Sequence, residues 1–257
     1  MHRPRGAAAL TGSRGLPMAK PLFHVKICGI TTAADARLAA EAGADAVGFN
    51  FVPGSPRQLD RDTAREVVAA LPPGVLPVGV FAGMAADEIL AIARHVGLRA
   101  IQLHGRLEDG PAADPPERCG QLHDLPVIRA VRLAEPTPPG GDRLAAARRW
   151  LAAAAAAGRS PAMVIVDAAA PPAAPAGLLG GTGRLVDWGA LTAQAPLGLP
   201  LALAGGLNPE NVATAIRAAG VAAVDTASGV EEAPGRKNPD LMRAFADAAR
   251  AALRPSS

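Results

Sequence analysis

Aromatic residues, cysteine and long apolar runs are all scarce in this chain of 257 residues. Aromatic residues make up 3% of it and tyrosine is absent, although hydrophobic residues reach 49%. The core must therefore be built from Ala, Val, Leu and Ile. The two cysteines, Cys28 and Cys119, are too few and too far apart for a disulfide framework or a cysteine-based zinc site. They fit a reducing compartment, and we expect a cytoplasmic protein.

Neither a membrane nor a nucleic acid is an expected partner. No apolar run approaches the ~20 residues that cross a bilayer. The net charge of +3 and the pI of about 9.4 come from the first 20 residues, which hold four basic residues and no acidic one. The rest of the chain therefore carries −1 and shows no basic stripe. The basic residues of this segment are Arg3, Arg5, Arg14 and Lys20.

The segment 1–20 is expected to be a disordered basic tail, followed by one domain over 21–254. Its Arg-rich, acid-poor composition has some likeness to an organelle transit peptide. A disordered tail, or a true start at Met18, fits the composition better.

Short apolar segments alternate with Ala-rich segments of helical period from residue 22 onward. The strands are predicted at 24–30, 46–51, 76–81, 100–105, 126–132, 162–168, 200–207 and 222–229. The helices are predicted at 32–43, 60–71, 85–97, 141–158, 208–220 and 239–253, with another expected between the fourth and fifth strands. Such alternation implies parallel strands, because each crossover returns the chain to the same end of the sheet.

Eight such units predict an α/β fold, a closed (β/α)8 TIM barrel. A doubly wound open sheet is the competing fold, but it usually carries a G-x-G-x-x-G turn after its first strand. Here that strand ends in Cys-Gly-Ile-Thr, over 28–31. The glycine-rich turns follow the sixth, seventh and eighth strands instead, and the last two of these positions are where barrels commonly hold phosphate.

Active sites of barrels lie at the carboxyl ends of the strands. The polar residues predicted there are Cys28, Asn50, Arg57, Gln102, His104, Arg129, Arg132, Asp167 and Asp225. Because side chains alternate along a strand, Lys26 and Cys28 share a face, which we expect to line the lumen. Cys28 and Asp167 would suit proton transfer on two faces of a bound sugar. A free cysteine is, however, usually a small buried hydrophobe, and Cys119 is expected to be one.

The three glycine-rich turns predict a phosphate site. Glycine leaves backbone N–H groups open to an anion, and a helix start would add its positive dipole end. The residues proposed for this contact are Gly181, Thr182, Gly183, Gly205, Gly206, Ser228 and Gly229.

Several motifs together resemble the phosphoribosylanthranilate isomerase family. They are "KICGIT", "GADAVGFNFVPGSPR", "IQLHG", "GGTGRLVDW", "LALAGGLNPENV" and "DTASGVE", in order between Lys20 and Arg250. The resemblance implies an isomerase of tryptophan biosynthesis, which needs no metal and no organic cofactor. It would convert N-(5′-phosphoribosyl)anthranilate to 1-(2-carboxyphenylamino)-1-deoxyribulose 5-phosphate by an Amadori rearrangement.

The resemblance also implies residue roles. The family's general base corresponds to Cys28 and its general acid to Asp167. Arg57 is similar to an arginine beside the anthranilate carboxylate, although a solvated loop arginine is the alternative. His104 is expected either to contact the substrate or to make a structural hydrogen bond. Asp225 is expected to orient the strand-eight loop rather than to take part in chemistry.

The chain departs from the family pattern at Thr226 and Ala227, where Val and Ser are more usual, and at Asn50, where an apolar residue is common. One alternative function is the histidine-pathway isomerase, which uses two aspartates and is disfavoured by Cys28. Another is a phosphosugar-binding barrel without catalysis, disfavoured by Cys28 and Asp167 together. The expected partner is a small phosphorylated substrate, and the chain is expected to be a monomer or a homodimer.

Overall fold

The computed structural model describes residues 20–107, 113–133, 141–167, 188–194 and 196–254. Eight parallel strands close into a barrel in chain order, and β1 pairs with β8 to complete it. The strands are β1 (Val25–Cys28), β2 (Ala46–Asn50), β3 (Leu76–Phe81), β4 (Ala100–Leu103), β5 (Val127–Arg132), β6 (Met163–Asp167), β7 (Leu201–Ala204) and β8 (Ala223–Thr226). The predicted barrel is therefore confirmed, with every predicted strand present. The proposed tail, apart from Lys20, lies outside the described residues.

The helices pack around the barrel. They are α1 (Ala33–Glu41), α2 (Arg61–Ala69), α3 (Ala86–Val96), α4 (Arg118–Gln121), α5 (Ala145–Ala156), α6 (Gly189–Thr192), α7 (Val212–Ala219) and α8 (Pro239–Leu253). Thr32, Asp60 and Asn238 accept hydrogen bonds from the first turns of α1, α2 and α8. The helix expected between β4 and β5 is α4, which has only four residues. Among the described residues, no helix has the length and apolarity to cross a membrane.

Strand alternation separates two apolar layers. Odd-numbered residues of β1, such as Val25 and Ile27, pack beneath the helices in the larger cluster. A smaller cluster fills the lumen, with Phe23, Ala46, Val78, Ala100, Ile128, Ala130, Met163, Ile165, Ala202 and Ala223. The lumen is thus a packed core whose polar residues lie toward the carboxyl ends of the strands.

Three short elements follow β8 that the sequence pattern did not predict. A 3-10 turn covers Ser228–Val230, and a two-stranded hairpin follows with β9 (Glu231–Ala233) and β10 (Arg236–Lys237). The hairpin brings Glu231 and Lys237 back against the end of β1.

Candidate active site

A cavity of about 290 Å³ opens at the carboxyl ends of the strands. It brings together ten of the residues predicted for the site, namely Cys28, Asn50, Arg57, Gln102, His104, Asp167, Gly205, Gly206, Asp225 and Ser228. Gly229 follows Ser228 in the same 3-10 turn but does not line the cavity. Gly181, Thr182 and Gly183 lie outside the described residues.

Cys28 ends β1 with its side chain at the cavity and is partly exposed. Two nearby glycines leave space for side chains, Gly29 for Arg57 and Gly48 for Cys28. Gly29 has φ +75°, in the left-handed region, and a Cβ there would lie 2.3 Å from Cδ of Arg57. Gly48, the neighbour of Cys28 on β2, would place a Cβ 2.6 Å from the Cys28 Sγ. The thiol therefore occupies space that only glycine at position 48 leaves open.

A buried ion pair lies in the lumen beside Cys28. The Lys26 Nζ donates to both carboxylate oxygens of Asp225, at 3.0 and 2.9 Å, and the Lys26 side chain is fully buried. The two residues are direct neighbours across the β1–β8 junction. The sequence analysis expected Asp225 to orient the strand-eight loop, but its carboxylate is instead held inside the barrel.

Burial raises the pKa of the Cys28 thiol. The positive charges of Lys26 and Lys237 act against this shift, and the carboxylate of Asp225 reinforces it. The balance leaves the pKa above its ordinary value, so the free protein holds a protonated thiol at neutral pH.

Arg57 is held by Glu231 in a two-point ion pair. Its Nε and Nη2 donate to the two carboxylate oxygens at 2.7 and 2.5 Å. Lys237, which is fully buried, donates from Nζ to the same carboxylate at 2.8 Å, to the Cys28 carbonyl at 2.7 Å and to the Ala227 carbonyl at 2.9 Å. One network therefore ties the end of β1, the loop after β2 and the hairpin after β8.

The charged groups of this network shift one another's pKa values. The hydrogen bond to Glu231 raises the pKa of Arg57. Burial acts to raise the pKa of Glu231, but the hydrogen bonds from Arg57 and Lys237 outweigh it and the pKa falls. Burial lowers the pKa of Lys237, against the attraction of Glu231. Glu231 and Lys237 were not predicted as site residues from the sequence, although the Pro-Gly dipeptide at 234–235 is a turn signal that could have indicated the hairpin.

Asp167 ends β6 and faces the same cavity as Cys28, with β7 and β8 between the two strands. Its carboxylate lies 3.8 Å from the exposed guanidinium of Arg132 on β5. His104 lines the cavity, and desolvation there lowers the pKa of its imidazole against the opposing charge of Asp167. His104 is therefore neutral at neutral pH and can act as a hydrogen-bonding group.

Two glycine-rich turns border the cavity on the side of β7 and β8. Gly205 and Gly206 have φ +96° and +66°, so both require the left-handed region. A Cβ at Gly229 would lie 1.8 Å from the Leu207 carbonyl oxygen, and the Thr226 hydroxyl donates to that same oxygen at 2.7 Å. Thr226, a departure from the family pattern, thus joins the two turns.

Two further departures from expectation are explained by contacts. Asn50 donates to the Ser55 hydroxyl at 3.0 Å and accepts from the Val52 N–H at 2.8 Å, so it shapes the loop that carries Arg57. Arg129, predicted at the barrel mouth, points outward instead and lies 4.8 Å from the ring centroid of Trp150. The placement of Arg129 was wrong because position 129 falls on the outer face of β5.

The family model for N-(5′-phosphoribosyl)anthranilate isomerase matches residues 25–248. The chain belongs to this family. The Myxococcus xanthus enzyme of that name is 41% identical over 227 residues, covering 88% of this chain and 96% of its own. The Chlorobaculum parvum enzyme of the same name is 42% identical over 233 residues, covering 89% and 96%. The predicted family and the predicted isomerase class are thereby confirmed.

Solved structures of the isomerase family agree with the barrel. The Thermotoga maritima enzyme superposes with a TM-score of 0.71 at 35% identity, covering 89% of this chain and 99% of its own. A second structure, with a TM-score of 0.68 at 33% identity and the same coverage, is in complex with reduced 1-(o-carboxyphenylamino)-1-deoxyribulose 5-phosphate.

Proposed function

We propose that this member of the isomerase family converts N-(5′-phosphoribosyl)anthranilate to 1-(2-carboxyphenylamino)-1-deoxyribulose 5-phosphate in tryptophan biosynthesis, with Cys28 as general base and Asp167 as general acid. The observation that carries the proposal is the single cavity shared by these two side chains, at the ends of β1 and β6. The names of the relatives support the same reaction.

The reaction is an internal proton transfer, so it needs one acid and one base and no redox partner. Asp167 gives its proton to the furanose ring oxygen as the bond from that oxygen to C1′ breaks, and the nitrogen lone pair forms a cationic Schiff base. The Cys28 thiolate then removes the C2′ proton, and the electron pair moves to the nitrogen. The enolamine that results tautomerises to the ketone.

The cationic Schiff base compensates for the raised pKa of the Cys28 thiol. Its positive charge forms next to the carbon that loses the proton, and a cation near a thiol favours the thiolate. The base is thus protonated in the free protein, and the thiol releases its proton to water in the open cavity as the substrate ring opens and the cation forms.

Two groups that line the cavity suit the two charged ends of the substrate. Arg57 offers a planar guanidinium for the anthranilate carboxylate, which would share or replace its contact with Glu231. Gly205, Gly206 and Ser228, with Gly229 next to Ser228 in the chain, would take the 5′-phosphate through backbone N–H groups. The substrate would then span the mouth with its ribose between Cys28 and Asp167.

The test follows the anthranilate-type fluorescence of N-(5′-phosphoribosyl)anthranilate as it is consumed. The intact protein is compared with Cys28→Ala and Asp167→Asn, and we expect each variant to lose at least about 100-fold in kcat, the usual contribution of a general acid or base. Cys119→Ala serves as the matched control, since this second thiol is fully buried and lies away from the cavity.

Full turnover by both variants would contradict the assigned roles. Product binding without turnover by the intact protein would favour the phosphosugar-binding barrel instead. Turnover of the histidine-pathway substrate alone would favour the other isomerase.

A further inference from the structure

The Lys26–Asp225 pair occupies the layer of the lumen next to the Cys28 thiol. Lys26 precedes Cys28 by two residues on β1, so both side chains point to the same face. Asp225 lines the cavity together with Cys28, and its carboxylate holds the ammonium by two hydrogen bonds. A full positive charge is therefore fixed in place beside the thiol, away from water.

A role in stability alone does not explain this pair. The lumen also holds an apolar cluster that includes Ala46, Val78 and Met163. Barrel interiors are commonly filled with branched apolar residues, and replacing a buried ion pair by such residues is often neutral or stabilising. The pair is thus a costly way to fill the lumen, which suggests that its charge is used.

We propose that Lys26 is a positioning residue that stabilises the thiolate of Cys28 during the reaction, and that Asp225 fixes the ammonium in place and moderates its charge. The inference rests on the proposed role of Cys28 as general base. It concerns the ionisation of the thiol, which can be measured without turnover.

The charged groups around the thiol set the direction of the effect. Lys26 faces it from β1, Asp225 from β8 and Lys237 from β10, and Arg57 acts from the loop after β2. Glu231 is shared by the last two cations, and His104 and Asp167 line the same cavity. After burial, Lys26 has the largest effect on the pKa of Cys28 and lowers it, while the opposing effect of Asp225 is smaller. Taken together, the pair favours the thiolate.

The experiment measures the pH dependence of Cys28 alkylation by iodoacetamide in the folded protein, quantified on the Cys28 peptide by mass spectrometry. The variants are Lys26→Met and the double variant Lys26→Met/Asp225→Leu. We expect the midpoint to lie about one to two pH units above that of the intact protein in Lys26→Met. The midpoint of the double variant should lie between those of the intact protein and of Lys26→Met, because the double variant also loses the opposing carboxylate of Asp225.

The double variant also keeps the test valid if Lys26→Met does not fold, since it leaves no unpaired charge in the lumen. Ultraviolet absorbance of the thiolate in a Cys119→Ser background gives a second readout if iodoacetamide cannot reach the cavity. Burial raises the pKa of the Cys119 thiol to about 11, and the Cys119→Ser background removes its absorbance from the titration. Met163→Ala is the matched control, because it loosens the lumen without changing a charge, and its midpoint should equal that of the intact protein.

Equal midpoints in the intact protein and the double variant would overturn the inference. It would also be overturned if the midpoint of Met163→Ala shifted as far as the midpoints of the charge variants. Shifted midpoints support it, even if Cys28→Ala retains turnover. In that last case the thiol is tuned as inferred but the proposed role of Cys28 as base fails, so the two failures are distinguishable.

Discussion

Two buried ion pairs each join a basic residue to an aspartate, but they lie on opposite faces of the barrel wall. Lys26–Asp225 lies inside the barrel, and Arg129–Asp114 lies outside it, between β5 and α5; both cationic side chains are fully buried. The inner cation donates two hydrogen bonds to the carboxylate of Asp225. The outer cation donates to three backbone carbonyls as well as to Asp114, and lies over the ring of Trp150.

The difference shows that the face of the strand on which a buried charge lies decides what that charge can do. Position 26 of β1 faces the lumen and therefore the cavity, whereas position 129 of β5 faces the helices. Arg129 satisfies the Leu103, Gly105 and Arg106 carbonyls at the end of β4, and Asp114 accepts from the Gly83 and Gly105 N–H groups. The outer pair therefore holds loops together, and the inner pair lies next to a reactive thiol.

The largest expected effect comes from breaking the outer pair. Arg129→Met leaves the Asp114 carboxylate buried without its cation, and we expect the free energy of unfolding to fall by about 3–5 kcal/mol. Urea unfolding followed by circular dichroism measures this. Turnover per folded molecule should change little. Loss of turnover with unchanged stability would reverse the contrast between the two pairs.

Gly48→Ala tests how strictly the position of the Cys28 thiol, next to the inner pair, is required. The new Cβ would lie 2.6 Å from the Cys28 Sγ and would displace the thiol. We expect kcat to fall by about 100-fold, because a displacement of about 1 Å of a reacting group has an effect of this size.

Gly120→Ala is the matched control for this substitution. Its new Cβ would have 3.7 Å to its nearest atom, the Ala157 carbonyl oxygen, so kcat should not change. A Gly48→Ala protein with the kcat of the intact protein would show that the position of the thiol is not critical.

A smaller effect is expected at the network above the inner pair. Glu231→Gln removes the charge that orients Arg57, so the guanidinium is less well placed for a substrate carboxylate. We expect KM to rise by about tenfold, equivalent to one lost charge-assisted hydrogen bond, with a smaller change in kcat.

Glu232→Gln is the control for the network, since this neighbouring carboxylate pairs with exposed Arg236. It should leave both constants unchanged. A fall in kcat alone for Glu231→Gln would argue that Glu231 acts on the chemistry rather than on binding.

The smallest effect is expected where an ion pair is exposed. Arg94 and Asp124 lie 3.9 Å apart with side chains 68% and 52% exposed. Arg94→Ala should change the free energy of unfolding by less than about 0.5 kcal/mol, because water and salt screen such a pair. A loss above about 1 kcal/mol in the same urea measurement would mean that burial is not what separates the strong pairs from the weak one.

The order and the parity of the strands were predictable from the sequence, because both follow from local patterns. The alternation in "VKICG" placed Lys26 and Cys28 on one face correctly. The same rule, applied to "PVIRAVR", would have separated Arg129 from Arg132, which the sequence analysis grouped together at the mouth. Local patterns were thus sufficient for the eight barrel strands and for the face that each of their residues takes.

The partners of these residues were not predictable. Asp225 meets Lys26 only because β8 closes on β1 in one particular register, and register is a property of the closed barrel. Glu231 and Lys237 reach Arg57 and Cys28 through a hairpin whose strands have three and two residues, too short for a periodic signal. Contacts between residues some 200 positions apart depend on the whole fold.

The contact from Lys237 to the Cys28 carbonyl joins residues 209 positions apart. A ribosome that adds about 5–20 residues per second makes the second of them roughly 10–40 seconds after the first. During that interval β1 has a neighbour on one side only, since β8 has not yet been made, and its free edge can pair with another chain. The strand that carries the thiol is thus the first barrel strand to be synthesised, and its second edge is covered only when β8 has been made.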